Sequence, residues 1–544
     1  MGIPKKKAVI VGKSKLPLCI ILTLVFAALY FYLALPAINL HDPAFYIFFL
    51  ACAAVFCLLT LITGDYSDGE NHEALRTVWK RCKWPLMACA ALIILLLVGS
   101  LLGSVVFRSG AYTRLLPIQE GNFTADVAEI SFDKIPMLDK DSAAMLGSRK
   151  LGELADMVSQ FEVADNYSQI NYQDGPVRVA TLRYGDLFKW LNNMSTGLPA
   201  YVRVNMVSQT AEVVRLEQGM KYTTYDHFGR NLYRLLRFRY PTFLFDEANF
   251  EIDEEGTPWW ICPRQVKTIG LFGGTDVAGA VLVNAVTGES TYYAVEEVPD
   301  WVDRVYSADL IIRQYDYYGQ YQNGFFNSMF GQKGCTVTTQ GYNYIALNDD
   351  VYVYTGVTSV GGDESNIGFI LVNQRTKEAK YYPCAGAEEY SAMDSAMGVV
   401  QHLNYRATFP LLLNVDGQPS YFMSLKDNAG LVKMYAMVNV QKYNVVATGA
   451  TVAECKNTYS KLLRQQGLAQ GGETGVTGVI DEIRTAVIEG NSWYYFRLIG
   501  EDCFYAVSAG QCESAIILNV GDKVLIQDAA AEGDIRQAGS IRKD

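Results

Sequence analysis

Histidine and charge are both scarce in this 544-residue chain: there are four His, and Asp, Glu, Lys and Arg together make up 19% of the residues. So few imidazoles leave little from which to build a His-based triad or a zinc site. His41 and His72 lie in short segments beside apolar runs, while His227 and His402 stand alone on helix-period stretches with no HExxH-type partner. The 11 Cys include no CxxC pair, which argues against zinc-ribbon and thioredoxin chemistry. Gly-x-Ser-x-Gly is absent as well. The glycine-rich pieces at Gly270–Gly274 and Gly361-Gly362 lack the Lys-Ser/Thr that a phosphate loop requires, and read as turns. The acidic run from Asp246 through Glu251 to Glu255 could hold calcium, but an exposed turn accounts for it more simply. No catalytic residue, cofactor or metal is therefore expected.

A basic footprint is missing too. Through Phe107 there are 9 Lys/Arg against 5 Asp/Glu; beyond it 37 stand against 52. Nucleic-acid binding needs cationic surface to displace phosphate counterions, so no nucleic-acid partner is expected.

Long apolar runs are abundant at one end only. Residues 16–38, 44–63 and 85–107 contain no charged side chain, and each is long enough to cross the roughly 30 Å hydrocarbon core as a helix. Lys5, Lys6, Lys7, Lys13 and Lys15 precede the first run, and Arg76, Lys80, Arg81 and Lys83 precede the third. Residues 39–43 between the first two carry neither Lys nor Arg. Basic flanks stay in the cytoplasm, so the expected topology has a cytoplasmic N-terminus and residues 108–544 on the extracytoplasmic side of a multi-pass cell-membrane protein. Gly99 and Gly103 form a small-xxx-small pair suited to packing helix on helix.

Beyond the apolar runs the chain contains a repeat. Leu282-Val283-Asn284, Thr287-Gly288-Glu289 and Tyr292-Tyr293 recur 89 residues later as Leu371-Val372-Asn373, Thr376-Lys377-Glu378 and Tyr381-Tyr382. Fainter copies begin at Val204-Asn205 and Val438-Asn439. Helix-period stretches lie between them: Ser142 to Phe161, Tyr225 to Arg239, Trp301 to Gln314, Glu388 to Leu403 and Thr451 to Leu463. Helices alternating with antiparallel hairpins predict an α+β fold. The unit resembles a PepSY-like domain on the turn Val283-Asn284-Ala285-Val286-Thr287-Gly288-Glu289, while the copy at Asn373 has Lys377 in place of Gly. The resemblance covers pieces of residues 140–465. It implies a non-catalytic module of membrane-bound or secreted proteins, often associated with restraint of peptidases. More loosely, the whole chain resembles uncharacterised membrane proteins of Gram-positive anaerobic bacteria.

The predicted organisation is a membrane domain over 1–107, a first α+β unit over 108–220, repeats over 221–299, 300–386 and 387–463, and a linker over 464–475. A small β-barrel of OB or SH3-like type is expected over 476–527, with a disordered tail over 528–544. Short β-like runs, including Ala515 to Leu518, build the barrel. Trp493, Tyr494 and Tyr495 are its candidate ligand-binding aromatics, with barrel core as the plainer reading. Cys503 and Cys512 flank a hairpin and are the candidate disulfide. The expected function is a non-enzymatic envelope binding or scaffold protein. It would be held in membrane lipid through 16–107, with an envelope protein or a second copy as partner, and would regulate a peptidase or assemble an envelope complex. The alternatives are an envelope hydrolase using a carboxylate pair and an accessory subunit of a transport or secretion complex.

Overall fold

The computed structural model describes residues 15–63, 71–129, 134–347, 349–361, 365–468, 475–488, 491–510, 512–527, 535–538 and 540–543. Lys5, Lys6, Lys7 and Lys13 and the middle of the 464–475 linker lie outside them. Helices and antiparallel sheets are mixed along the chain, as the α+β reading expects.

Three helices are long and apolar enough to cross a membrane: Leu16–Ala34, Pro43–Ile62, and the Trp79–Leu102 part of Asn71–Leu102. The first ends short of the expected residue 38. Pro36 disfavours helical geometry in the residue before it, and Leu35 turns to a left-handed φ of 52°. Asp42 caps the second by accepting from the Ala44 N–H at 2.9 Å, with Pro43 in the first turn. The third stops at Leu102 instead of 107, and Val105–Tyr112 forms a separate short helix.

The chain divides into two compact units. The first holds Met1–Gln119, Lys140–Asp363 and Ile370–Tyr381; the second holds Glu120–Asp139, Glu364–Phe369 and Tyr382–Asp544.

In the first unit, Phe161–Val163 and Ser168–Tyr172 both pair with Gly175–Tyr184, which pairs in turn with Leu198–Asn205 and that with Thr210–Met220. The next sheet has the same plan. Leu244–Phe245 and Asn249–Ile252 pair with Pro258–Ile269, followed by Gly273–Asn284 and Ser290–Ala294. In a third place, Thr336–Thr338 and Asn343–Leu347 pair with Asp350–Ser359. In the second unit, Arg406–Ala407 and Leu411–Val415 pair with Gln418–Lys426, followed by Val432–Asn439 and Val446–Gly449.

One backbone device recurs four times, at the residue after a strand-ending Asn. The N–H groups of Met206, Ala285, Gln374 and Val440 donate to the carbonyls of Pro176, Pro258, Val351 and Pro419. In the middle two copies the carbonyl of the same residue accepts a pair of successive N–H groups, from Lys221 and Tyr222 at Ala285 and from Val305 and Tyr306 at Gln374. The Asn side chain fixes the turn. Asn284 Oδ1 accepts from Val286 and Thr287 N–H, and Asn373 Oδ1 from Arg375 and Thr376 N–H, all within 2.8–3.0 Å. Gly288 has a φ of 74° and Lys377 a φ of 68°, the left-handed geometry that Gly adopts freely. The Lys377 ammonium sits 2.6 Å from Asp276, a contact that offsets the strain at that position.

The same hydrogen bonds displace an expected helix. Periodicity places it over 301–314, yet it runs Ala308–Tyr321. The N–H groups of residues 303 to 306 are taken by Glu251 and by the Gln374 carbonyl, so no helical turn can form there. Likewise the helix expected over 142–161 ends at Gly152, and Phe161 already belongs to a strand.

The second unit carries a strap, described over residues 120–129 and 134–139, fastened along its sheet. Asn414 Nδ2 donates to Val127 O at 2.8 Å, Ser424 Oγ to Met137 O at 2.7 Å, and Lys426 Nζ to Asp139 at 2.6 Å. Its C-terminal strands form a six-stranded sheet. Gly475–Ile488 pairs with Lys523–Gln527 through its first half and with Asn491–Leu498 through its second, with a register shift between Ile480 and Glu482. Two expectations are corrected by these strands. Residues 515–517 belong to a 3-10 turn, Glu513–Ile517, and Leu518 follows it, so this stretch is not a strand. The described part of the tail is ordered: Ile535–Gln537 and Ser540–Lys543 complete the open edges of Phe504–Ser508 and Lys523–Gln527, and Ile541 is fully buried. Ala538 and Ile541 supply apolar surface that joins the local core.

Candidate functional site

Two places in the first unit concentrate polar chemistry. The first is a set of interior carboxylates. Asn249–Ile252 is buried along its whole length, so the alternation that would turn Glu251 to water is absent, and its side chain is 0% exposed. Glu251 Oε2 accepts the Asp303 N–H at 2.9 Å and Oε1 the Arg304 N–H at 3.0 Å. Asp303, 1% exposed, accepts the Asn171 N–H at 2.7 Å. Asn171 Nδ2 continues the chain to Asp349 at 2.7 Å. Beside it, Arg375 grips Asp350 through two N–H groups at 2.7 and 3.0 Å and reaches Asp300 at 2.8 Å.

Burial sets the electrostatics. It pushes the Glu251 carboxyl up to about 7, opposed by the Asp303 N–H, the Arg304 charge and the Arg304 N–H. Burial likewise raises Asp303 well above the carboxylate range, and the neighbouring Glu251 charge raises it further. Adjacent carboxyls with raised pKa values occur both at catalytic sites and in buried structural networks. In this pair both Glu251 oxygens and Asp303 Oδ2 are engaged by backbone N–H groups. The arrangement ties the 303–304 backbone to one sheet and Asn171 of another to that same segment.

The second place is where the long apolar helices end. Arg234 Nε donates to Tyr32 O at 3.2 Å and Arg237 Nε to Leu35 O at 3.0 Å, supplying partners to carbonyls that a helix C-terminus leaves open. Ile38 N–H donates to Pro241 O at 2.8 Å, Asn39 Nδ2 to Thr242 O at 2.8 Å, and His41 Nδ1 to Leu271 O at 2.7 Å. The Gly99/Gly103 pair faces this turn and not another helix. A Cβ at Gly99 would meet Leu271 Cδ2 at 2.8 Å, and one at Gly103 would meet the Ile269 carbonyl at 3.0 Å. The glycine-rich stretch from Gly270 is thus a docking turn.

The other candidate residues are dispersed. Trp493 and Tyr495 lie half-exposed on one face of their strand, while Tyr494 turns to the other, against the core and stacked 6.3 Å from Phe496. They do not form one aromatic platform. Cys503 and Cys512 are buried free thiols, as all the cysteines are free; Cys512 Sγ is 3.2 Å from Ile541 O, and Cys503 Sγ is 3.7 Å from Glu501. His227 is exposed, edge-on to Trp190 at 4.8 Å, and His402 is exposed in a short 3-10 turn. In the acidic run, Asp253 caps its own turn through the Thr257 N–H at 2.8 Å, and Glu254 and Glu255 are exposed. Among the described residues no group of three or more His, Cys, Asp or Glu is placed to hold a metal ion. The interior role of Glu251 is masked in the sequence because the run of acids around it suggests solvent. The four-residue string Asn249-Phe250-Glu251-Ile252 is the available signal.

No protein-family model and no curated protein matches the chain. Among solved structures, a levansucrase variant from B. megaterium has a TM-score of 0.19 at 10% identity, over 77% of this chain and 97% of its own. The dihydro-heme d1 dehydrogenase NirN has a TM-score of 0.14 at 8% identity, over 68% of this chain and 50% of its own. Likenesses of that size carry no argument about fold or activity.

Proposed function

We propose that the chain is a membrane-anchored extracytoplasmic protein of the cell envelope. On this reading it works by binding and not by catalysis, with tandem PepSY-like α+β units as its recognition surface and a small C-terminal barrel. The observation that carries the reading is the fourfold backbone device at Met206, Ala285, Gln374 and Val440, each following a strand-ending Asn. A common device at four sites supports one structural unit used repeatedly, and arrays of that kind offer extended surfaces to partners. The clamp of Arg234 and Arg237 on the first apolar helix supports a surface held rigidly to the membrane. The Lys/Arg-free turn at 39–43, set against Arg76, Lys80, Arg81 and Lys83, supports the outward orientation.

The partner is an envelope protein, a peptidase among the candidates, or a second copy of the chain. Crosslinking in intact membranes followed by purification in detergent tests this. A reproducible stoichiometric partner is expected, and a chain that emerges alone under several detergents overturns it. Protease treatment of intact cells tests orientation, with cleavage expected beyond residue 108.

A second reading, an envelope hydrolase, is favoured by the raised carboxyl pair Glu251 and Asp303. It requires a state in which those oxygens leave their backbone donors. A hydrolytic activity abolished by both E251Q and D303N, with the fold retained, would establish it.

A further inference from the structure

Large apolar side chains stand exposed in two groups on the first unit, outside the three apolar helices. Helix Leu187–Asn193 turns Trp190 inward, where its indole N–H donates to the buried Asp226 at 3.0 Å, and leaves Phe188 and Leu191 outward, Phe188 76% exposed. Phe228 extends this group, its ring 5.8 Å from Trp190, at a left-handed φ of 53° that a bulky side chain seldom adopts. The second group, Phe326, Met329 and Phe330, follows helix Ala308–Tyr321, with Phe330 81% exposed. A water-facing surface rarely gathers such residues without a binding role.

Both groups are continuous with the ends of the membrane helices. Soon after Phe228 begins helix Leu232–Arg239, which clamps the end of the first apolar helix and sets Phe238 5.5 Å from Phe31. On the other side, Tyr112 donates to Gly103 O at 2.6 Å, at the end of the third apolar helix. From Tyr112 a ladder of rings runs through Tyr317 at 4.8 Å, Tyr321 at 6.1 Å and Phe325 at 6.2 Å to Phe326. Charge agrees with this placement. Residues 228–239 carry Arg230, Arg234, Arg237 and Arg239 and no acid, within a part of the chain where acids predominate.

We propose that this face of the first unit is seated in the bilayer leaflet at which the first membrane helix ends. Phe188, Leu191, Phe228, Phe326, Met329 and Phe330 enter the headgroup–acyl boundary, and the exposed Arg239, with the half-buried Arg230, meets anionic phospholipid heads. The proposal rests on the membrane-spanning reading of the three helices and holds for either orientation. It makes the soluble unit a body lying on the membrane, not one hanging from a tether.

Site-specific photocrosslinking in the full chain tests it. The photoreactive residue p-benzoylphenylalanine is placed singly at positions 24, 188, 254 and 330, and the protein is set in nanodiscs of phosphatidylcholine and phosphatidylglycerol with alkyne-tagged acyl chains. Leu24 lies within the first apolar helix, 63% exposed. Glu254 is exposed just before strand Pro258–Ile269, whose far end meets Gly103, roughly 35–40 Å away along that strand. Lipid adducts are expected at 24, 188 and 330 and none at 254. Adducts at 24 without adducts at 188 and 330 overturn the proposal, as do protein–protein adducts at those two positions. Loss of adducts at 24 as well overturns the membrane-spanning reading beneath it.

Discussion

Raising the pH should loosen the first unit, because its two interior carboxyls hold protons that the unfolded chain would give up. Burial lifts Glu251 from 4.5 to about 7, and lifts Asp303 further with help from the Glu251 charge. An acid with a raised folded pKa binds its proton more tightly folded than unfolded. The stabilisation is therefore complete at low pH and is lost as pH climbs from about 4.5 through about 7. At about 1.4 kcal/mol for each tenfold gain in proton affinity, Glu251 alone is worth about 3 kcal/mol across that window. For a unit of this size that corresponds to a fall in Tm of roughly 4–5 °C. Intrinsic fluorescence of the detergent-solubilised protein between pH 5 and pH 8 reads it directly. D303N separates this pair from every other carboxyl: it keeps an oxygen for the Asn171 N–H while removing the Asp303 proton that the unfolded chain gives up. The variant should gain on the wild type as pH rises from 5 to 8 and so show a shallower slope. A variant that loses the same Tm at both pH values, or a wild type with a slope no steeper than that of D303N, refutes the reasoning.

R237A removes the donor to Leu35 O, Pro241 O and Phe243 O together, and should cost about 2–4 kcal/mol in a denaturant titration. R237K should recover little of that loss, since an ammonium cannot reproduce the planar fork that reaches all three. G103V places its Cβ against the Ile269 carbonyl, so it should destabilise by about 1–3 kcal/mol and open residues 269–273 to limited proteolysis. N373A deletes the acceptor that fixes the Arg375 and Thr376 N–H groups and the donor to Asp350; a fall of about 1–3 kcal/mol is expected by thermal unfolding. Reducing agent should leave Tm unchanged, because Cys503 and Cys512 are free thiols; a drop on reduction would show a bridge between them.

The three apolar helices are legible in the sequence because hydrocarbon thickness sets a length that composition alone can meet. Their ends are less so: the stop at Leu35 follows from Pro36, but the stop at Leu102 follows from the docking of Gly99 and Gly103 on a distant turn that includes Leu271. The Asn284 and Asn373 turns are visible as a spacing, and they are built alike because Asn Oδ1 bonds locally whatever surrounds it. Periodicity misplaces the helix at Ala308–Tyr321 because its upstream N–H groups are claimed by Glu251 and Gln374, partners that no local pattern exposes. The candidate site itself is not legible. Glu251 sits in a run of acids whose neighbours Glu254 and Glu255 face water, and only the strand pairing of Asn249–Ile252 reveals that this one does not.

The strap described over residues 120–129 and 134–139 sets a timetable for biogenesis. Val127, Met137 and Asp139 each bond to a residue 287 positions later. At roughly 5–20 residues per second, a ribosome needs roughly 15–60 s between making the strap and making its receptor. Throughout that interval the segment must be kept from misplaced partners, and the unit to which it belongs stays incomplete until most of the chain has been synthesised.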